Sequence, residues 1–165
     1  MARRDATGPV TLSVLDRLID RDPKNHSEVP FTRAQSLREL KLALKRDLEW
    51  LLNTRKTIEP SSDSARETVR SVFHYGFADI SSKSVLSSRD QIDLVRDMEA
   101  SIAIFEPRLK RAKVRMEQVE GSYRMLKFVI EGLLCMDPAP EPVRFDTVLE
   151  LGKGEYEIKG ADLAQ

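Results

Sequence analysis

Apolar positions change their period once along this chain, and the change falls within residues 102–109, Ile-Ala-Ile-Phe-Glu-Pro-Arg-Leu. Upstream they recur at helical spacing; downstream they alternate. Pro107 lacks a backbone donor and drives Glu106 out of the helical region, so the preceding helix should end near Phe105. A sharp corner results, with Glu106 and Arg108 on either side of a rigid proline. The guanidinium fork of Arg108 can hold a carboxylate at two points, which would make the corner a docking point. A local reading stands beside it, in which Arg108 closes orphan carbonyls at the helix end and Glu106 is solvated.

Four helical segments precede the corner. Val10, Val14, Leu15, Leu18 and Ile19 predict a short amphipathic helix that stops before Pro23, followed by a polar connector over 21–30. The longest helix, over 33–54, carries Leu37, Leu40, Leu44, Leu48, Leu51 and Leu52 in one stripe, with Lys41, Lys45, Arg46 and Glu49 off it. Trp50 points about 160 to 200 degrees away from that stripe. It therefore needs a second surface, either a partner or another part of the same chain. Residues 59–64 read as a linker, with Ser64 and Glu67 spaced as a capping box before a short helix bearing Val69, Val72 and Phe73. That helix should end at Tyr75-Gly76. The serine-rich stretch 81–88 leads, through a Ser88/Gln91 capping box, to the helix that reaches the corner. Its inner face is Ile92, Val95, Ile102 and Phe105 with Met98 or Glu99 between them, while Arg89, Asp93, Arg96 and Asp97 face outward.

Beyond the corner Ala112, Val114 and Met116 alternate with charged residues, the mark of a half-buried strand. Glu120-Gly121-Ser122 turns the chain into a second strand with Leu126, Phe128 and Ile130 on one face. Pro138, Pro140 and Pro142 stiffen a connector. A second hairpin then pairs 145–151 with 155–159 about Gly152-Lys153-Gly154, with Phe145, Thr147, Leu149 and Leu151 answered by Tyr156 and Ile158. Helices first and strands after predict an α+β fold, N-terminal helices packed on a small antiparallel β-sheet formed by the C-terminal half. Its expected divisions are 1–30 as helix and connector, 31–160 as one domain and 161–165 as a tail. Such a sheet has edges, and an edge strand can pair with a strand of another subunit.

Composition narrows the chemistry. Lysines and arginines number 27 and aspartates and glutamates 27, so nothing global steers the chain to nucleic acid or an anionic membrane. No apolar run approaches spanning length and no secretory leader opens the sequence, which places the protein in the cytoplasm. The single cysteine, Cys135, forms no internal disulfide and reads as a buried reduced thiol; with only His26 and His74 beside it, no zinc-type cluster and no cofactor is expected. His74 reads as a structural or solvated imidazole. No phosphate loop, nucleophile elbow or Cys/His pair is present. The one enzymatic arrangement to weigh is a carboxylate pair of Glu106 with Glu99, Glu117 or Asp146, as in a glycosidase.

Three stretches in order resemble a known family: Arg46-Asp47-Leu48-Glu49-Trp50-Leu51-Leu52-Asn53-Thr54-Arg55, Phe105-Glu106-Pro107-Arg108-Leu109, and Pro140-Glu141-Pro142-Val143-Arg144-Phe145-Asp146-Thr147. Together with Leu15-Asp16-Arg17-Leu18 and Tyr75-Gly76 they are similar to the TssE family, the baseplate wedge subunits of bacterial type VI secretion systems. That family is similar in turn to the wedge protein of contractile-tailed phages, once labelled lysozyme-like. The resemblance implies a structural part rather than an enzyme, sitting where the baseplate meets the first ring of the contractile sheath. It implies contacts from Glu106, Pro107 and Arg108 to neighbouring wedge subunits. Trp50 is then either core under the sheet or part of the same surface. It also implies strand pairing with sheath subunits through the hairpin that holds Phe145, Asp146, Thr147 and Tyr156. Assembly would take place at the cytoplasmic side of the inner membrane, with no nucleic acid and no membrane insertion. Two other classes stay open: an anti-adaptor like the one in the same fold family that blocks delivery of a stress sigma factor to a protease, and a peptidoglycan hydrolase.

Overall fold

The computed structural model describes residues 10–19, 24, 31–57, 66–78, 87–118 and 125–163. The 59–64 linker with its Ser64 cap, the turn at 120–122, and most of the 21–30 connector and of the serine-rich stretch lie outside them.

Among the described residues four helices lead to four strands: α1 Val14–Leu18, α2 Arg33–Asn53, α3 Arg66–Val69, α4 Ser88–Phe105, β1 Leu109–Gln118, β2 Met125–Leu134, β3 Glu141–Glu150 and β4 Glu155–Leu163. The strands form one antiparallel sheet in the order β1-β2-β3-β4. The expected α+β fold is the observed one. A capping box of Thr32 and Gln35 starts α2, and Leu40, Leu44, Leu48, Leu51 and Leu52 bury its stripe. Against them pack Leu94, Met98 and Ile102 of α4, and the inner sheet face of Leu126, Phe128, Ile130, Phe145, Leu149 and Ile158. The two helices divide that face, α4 lying along β1 and α2 along β4.

After α2 the chain makes a parallel bridge between Arg55 and Phe77. Phe77 N–H donates to the Thr54 carbonyl at 2.7 Å, and Lys56 N–H donates back to the Phe77 carbonyl at 3.0 Å. The approach depends on Gly76, at φ 116°, where a Cβ would stand 2.3 Å from the Thr54 oxygen.

Several details depart from the sequence pattern. Ser87, not Ser88, caps α4, accepting from Asp90 N–H. Ile92 is exposed; the inner line is Leu94, Met98 and Ile102, and two residues along a helix turn Ile92 about 200 degrees from Leu94. Among the described residues α3 makes one turn; Val72 and Phe73 lie exposed on a 3-10 turn over Val72–His74, while His74 is buried edge-on to Phe73. Lys41, expected off the stripe, is buried because its ammonium binds Glu141 at 2.5 Å. Cys135 is exposed rather than buried, one residue past the end of β2. Pro142 belongs to β3, not to the connector. It is the second residue of β3 and stands opposite Leu133 of β2, at the start of the strand, where proline is tolerated. At the same end of the sheet β4 includes Leu163, three residues into the expected 161–165 tail.

Candidate functional site: a charged corner and a sheet edge

α4 ends where the proline rule places it, with Glu106 N–H bonded to the Ile102 carbonyl at 2.9 Å. The chain then turns straight into β1, and the Arg108 carbonyl accepts from Cys135 N–H at 2.7 Å, so the corner is tied to the β1–β2 pair. Glu106 is not solvated: it is 5% exposed. Arg108 holds it at two points, Nε to Oε1 and Nη2 to Oε2, both at 2.6 Å. The same Nη2 reaches Asp47 of α2 at 2.5 Å. Arg108 therefore ties carboxylates of two elements instead of closing helix-end carbonyls. Its bonds to Glu106 outweigh the opposing effect of burial, and with Asp47 they hold the guanidinium well above its usual range.

The chain of charges continues outward. Asp47 accepts from Arg46 Nε at 2.9 Å, and Arg46 Nη1 donates to Asp16 of α1 at 2.8 Å. Ser13 caps α1 and also bonds the Asp16 carboxylate. Burial alone would raise the Asp16 carboxyl, but the Ser13 hydroxyl and the Arg46 guanidinium hold it below its ordinary value. Asp16, Arg46, Asp47, Arg108 and Glu106 thus form one alternating line across α1, α2 and the corner. Above it lies a cleft of about 340 Å³ walled by Trp50, Tyr75, Phe105 and Pro107. Tyr75 and Phe105 meet edge to face at 5.3 Å. Burial, then the Asp47 and Glu106 charges, push the Tyr75 phenol up. Trp50 lies under the Arg46 guanidinium, 5.0 Å from its carbon, yet remains 54% exposed. It is not core under the sheet.

The structure brings Glu106, Pro107, Arg108 and Trp50 to one cleft, and Phe145, Asp146, Thr147 and Tyr156 to the sheet. Phe145, Thr147 and Tyr156 are buried side chains of the inner face. Asp146 faces outward between Lys127 at 3.0 Å and Arg144 at 3.1 Å. Burial works against its charged form, but those two cations keep the carboxyl below its ordinary value. The acids weighed for catalysis are all engaged. Glu106 holds Arg108, Glu99 accepts from Val114 N–H at 2.9 Å, and Glu117 pairs with Lys127 at 3.2 Å. Among the described residues no group of three metal-binding side chains assembles, and no helix is long and apolar enough to cross a membrane. Asp16, Arg46, Asp47 and Tyr75 were not singled out as site residues, although each lies in a stretch that carries the family resemblance.

No curated protein matches the chain at a significant level. Residues 38–139, more than half of the chain and including most of α2, α4, the corner and the first hairpin, match the family described as baseplate wedge protein gp25. With the wedge motifs placed on this fold and the match spanning its core, the chain belongs to the gp25 family of baseplate wedge proteins, structural parts of phage-tail-like baseplates.

Proposed function

We propose that this chain is the wedge subunit of a bacterial type VI secretion baseplate, joining the wedge complex to the first ring of the contractile sheath and helping to start sheath assembly. Membership of the wedge family over residues 38–139 carries the reading. The motif stretches in the sequence narrow it from contractile tails in general to secretion. The protein acts by binding alone, in the cytoplasm at the inner membrane, without cofactor or turnover.

Two surfaces divide the work. The corner cleft receives neighbouring wedge subunits: Trp50 and Pro107 offer exposed apolar surface, and the Arg108–Glu106 pair fixes the shape behind them. The sheet supplies a strand edge to the sheath. Since β3 lies between β2 and β4, only β4 of that hairpin has an outer edge. Phe145, Thr147 and Tyr156 serve by anchoring it, and Asp146 by bracing the outer face.

Affinity capture of the tagged chain from its native cells, with mass-spectrometric identification, tests this. Sheath and other baseplate subunits should be recovered with the wild type. Trp50→Ala should lose the wedge neighbours while keeping its thermal midpoint, because an exposed side chain contributes little to folding. Recovery of a response regulator or a protease adaptor in place of baseplate subunits contradicts the proposal.

A further inference from the structure

The outer edge of β4 is not bare. Tyr156 and Ile158 stand opposite Leu149 and Thr147 of β3, but their main-chain groups turn the other way, toward α2. There the Asn53 side chain acts as a peptide would: its Oδ1 accepts from Tyr156 N–H at 2.8 Å and its Nδ2 donates to the Tyr156 carbonyl at 2.9 Å. One helical turn earlier, Glu49 Oε1 accepts from Ile158 N–H at 3.0 Å. Asn53 and Glu49 are four residues apart and so lie on one face of α2. An antiparallel edge strand offers outward groups at every second residue, and these two side chains take three of the four that Tyr156 and Ile158 present.

We propose that the β4 edge between Glu155 and Lys159 is a strand-docking site held shut by Glu49 and Asn53, and that the incoming main chain of a neighbouring subunit displaces them. This rests on the strand-pairing part of the function proposed above. Unprotected edges pair indiscriminately, and proteins cover them. A cover made of two side chains at the last turns of a helix swings away without unfolding the sheet, because β4 keeps its ladder to β3. The exposed side chains flanking the covered groups are Glu155, Glu157 and Lys159, with Lys159 paired to Glu157 at 3.7 Å. The partner is therefore an extended segment with cations facing Glu155 and Glu157, the second taking the place of Lys159, and donors along its backbone.

The probe is a blocked, fluorescent (Lys-Val)4 peptide, with (Glu-Val)4 and (Lys-Pro)4 as controls, added to wild type, Glu49→Ala, Glu49→Gln and Asn53→Ala. Hydrogen exchange of the Ile158 amide should be slow in wild type and in Glu49→Gln, which keeps the acceptor, and faster by about tenfold or more in Glu49→Ala. The alanine variants should bind (Lys-Val)4 about tenfold more tightly than wild type, bind (Lys-Pro)4 not at all because it lacks alternate donors, and regain Ile158 protection when bound. Glu49→Ala removes the Ile158 hydrogen bond and a surface ion pair to Lys45 at 3.7 Å, a small loss that Glu49→Gln shares, so it carries the test if Asn53→Ala fails to fold. Unchanged Ile158 exchange in Glu49→Ala overturns the cover. Equal binding of the lysine-valine and lysine-proline peptides, or no gain in either alanine variant, overturns the docking site. None of these readouts involves baseplate or sheath proteins, so a failed capture of those subunits bears on the assembly and not on the edge.

Discussion

At the scale of single residues, the corner works because its charges are consumed internally. A carboxylate as buried as Glu106 would be costly alone, and breaking such a pair by removing one partner typically costs about 3 to 5 kcal/mol. Arg108 meets it with two bonds and meets Asp47 with the same fork. A lysine could supply the charge but not the planar fork. The sequence marks Glu106 and Arg108 on either side of Pro107, but neither reading of the corner joins them to each other, and Asp47, the third member, is 61 residues away, so only the packing of α2 against α4 brings it near. Gly76 is the most constrained backbone position near this site. Gly76→Ala combines a left-handed φ with an overlap on the Thr54 carbonyl, and should destabilise the fold by about 2 to 4 kcal/mol. Chemical denaturation reads it; a loss below about 0.5 kcal/mol would show that the Arg55–Phe77 bridge relaxes freely.

At the scale of elements, periodicity was legible wherever an element packs along its whole length. The stripes of α2 and α4 and the alternation in the strands predicted the helices, the corner and both hairpins. The exceptions have separate causes: Lys41 is drawn in by the distant Glu141, Ile92 is turned away by the line that Leu94 sets, and Cys135 is exposed past a strand end. α1 is the clearest case. Its pattern reads as amphipathic, yet Val14, Leu15, Leu18 and Ile19 are exposed, while Val10 and Leu12 before it pack on the core. Among the bonds that hold it are those of Ser13 and of Asp16 to Arg46. Asp16 has a carboxyl lowered from 3.8, so its stabilising effect is present above that value and lost as pH falls through the folded one. Asp16→Asn at neutral pH should reproduce the acid effect locally. Amide exchange over Val14–Leu18 should speed up while α2 and the sheet stay protected. Unchanged exchange there would mean that the ion pair does not hold the helix.

At the scale of the whole molecule, two helices share the sheet face and each also lends a side chain to the nearer edge: Glu99 of α4 to Val114 of β1, and Glu49 and Asn53 of α2 to β4. The corner cleft lies at the end of α4, and its ion line runs back through α2, the helix that covers the β4 edge. On the proposed function the two surfaces share one rigid element, as a joint between unlike layers of an assembly would. Neither the ion line nor the edge cover was legible in the sequence, since both join residues far apart in the chain. The family resemblance nonetheless contained nearly all of their members, because Asp47, Glu49 and Asn53 stand in one motif stretch.

The most direct test of that two-surface account is site-specific photo-crosslinking in the native cells, with a photoreactive amino acid placed at Trp50 and, in a separate strain, at Glu157. Trp50 should crosslink to neighbouring baseplate wedge subunits and Glu157 to a sheath subunit. Crosslinks from both positions to one and the same partner, or to proteins of neither assembly, would contradict it.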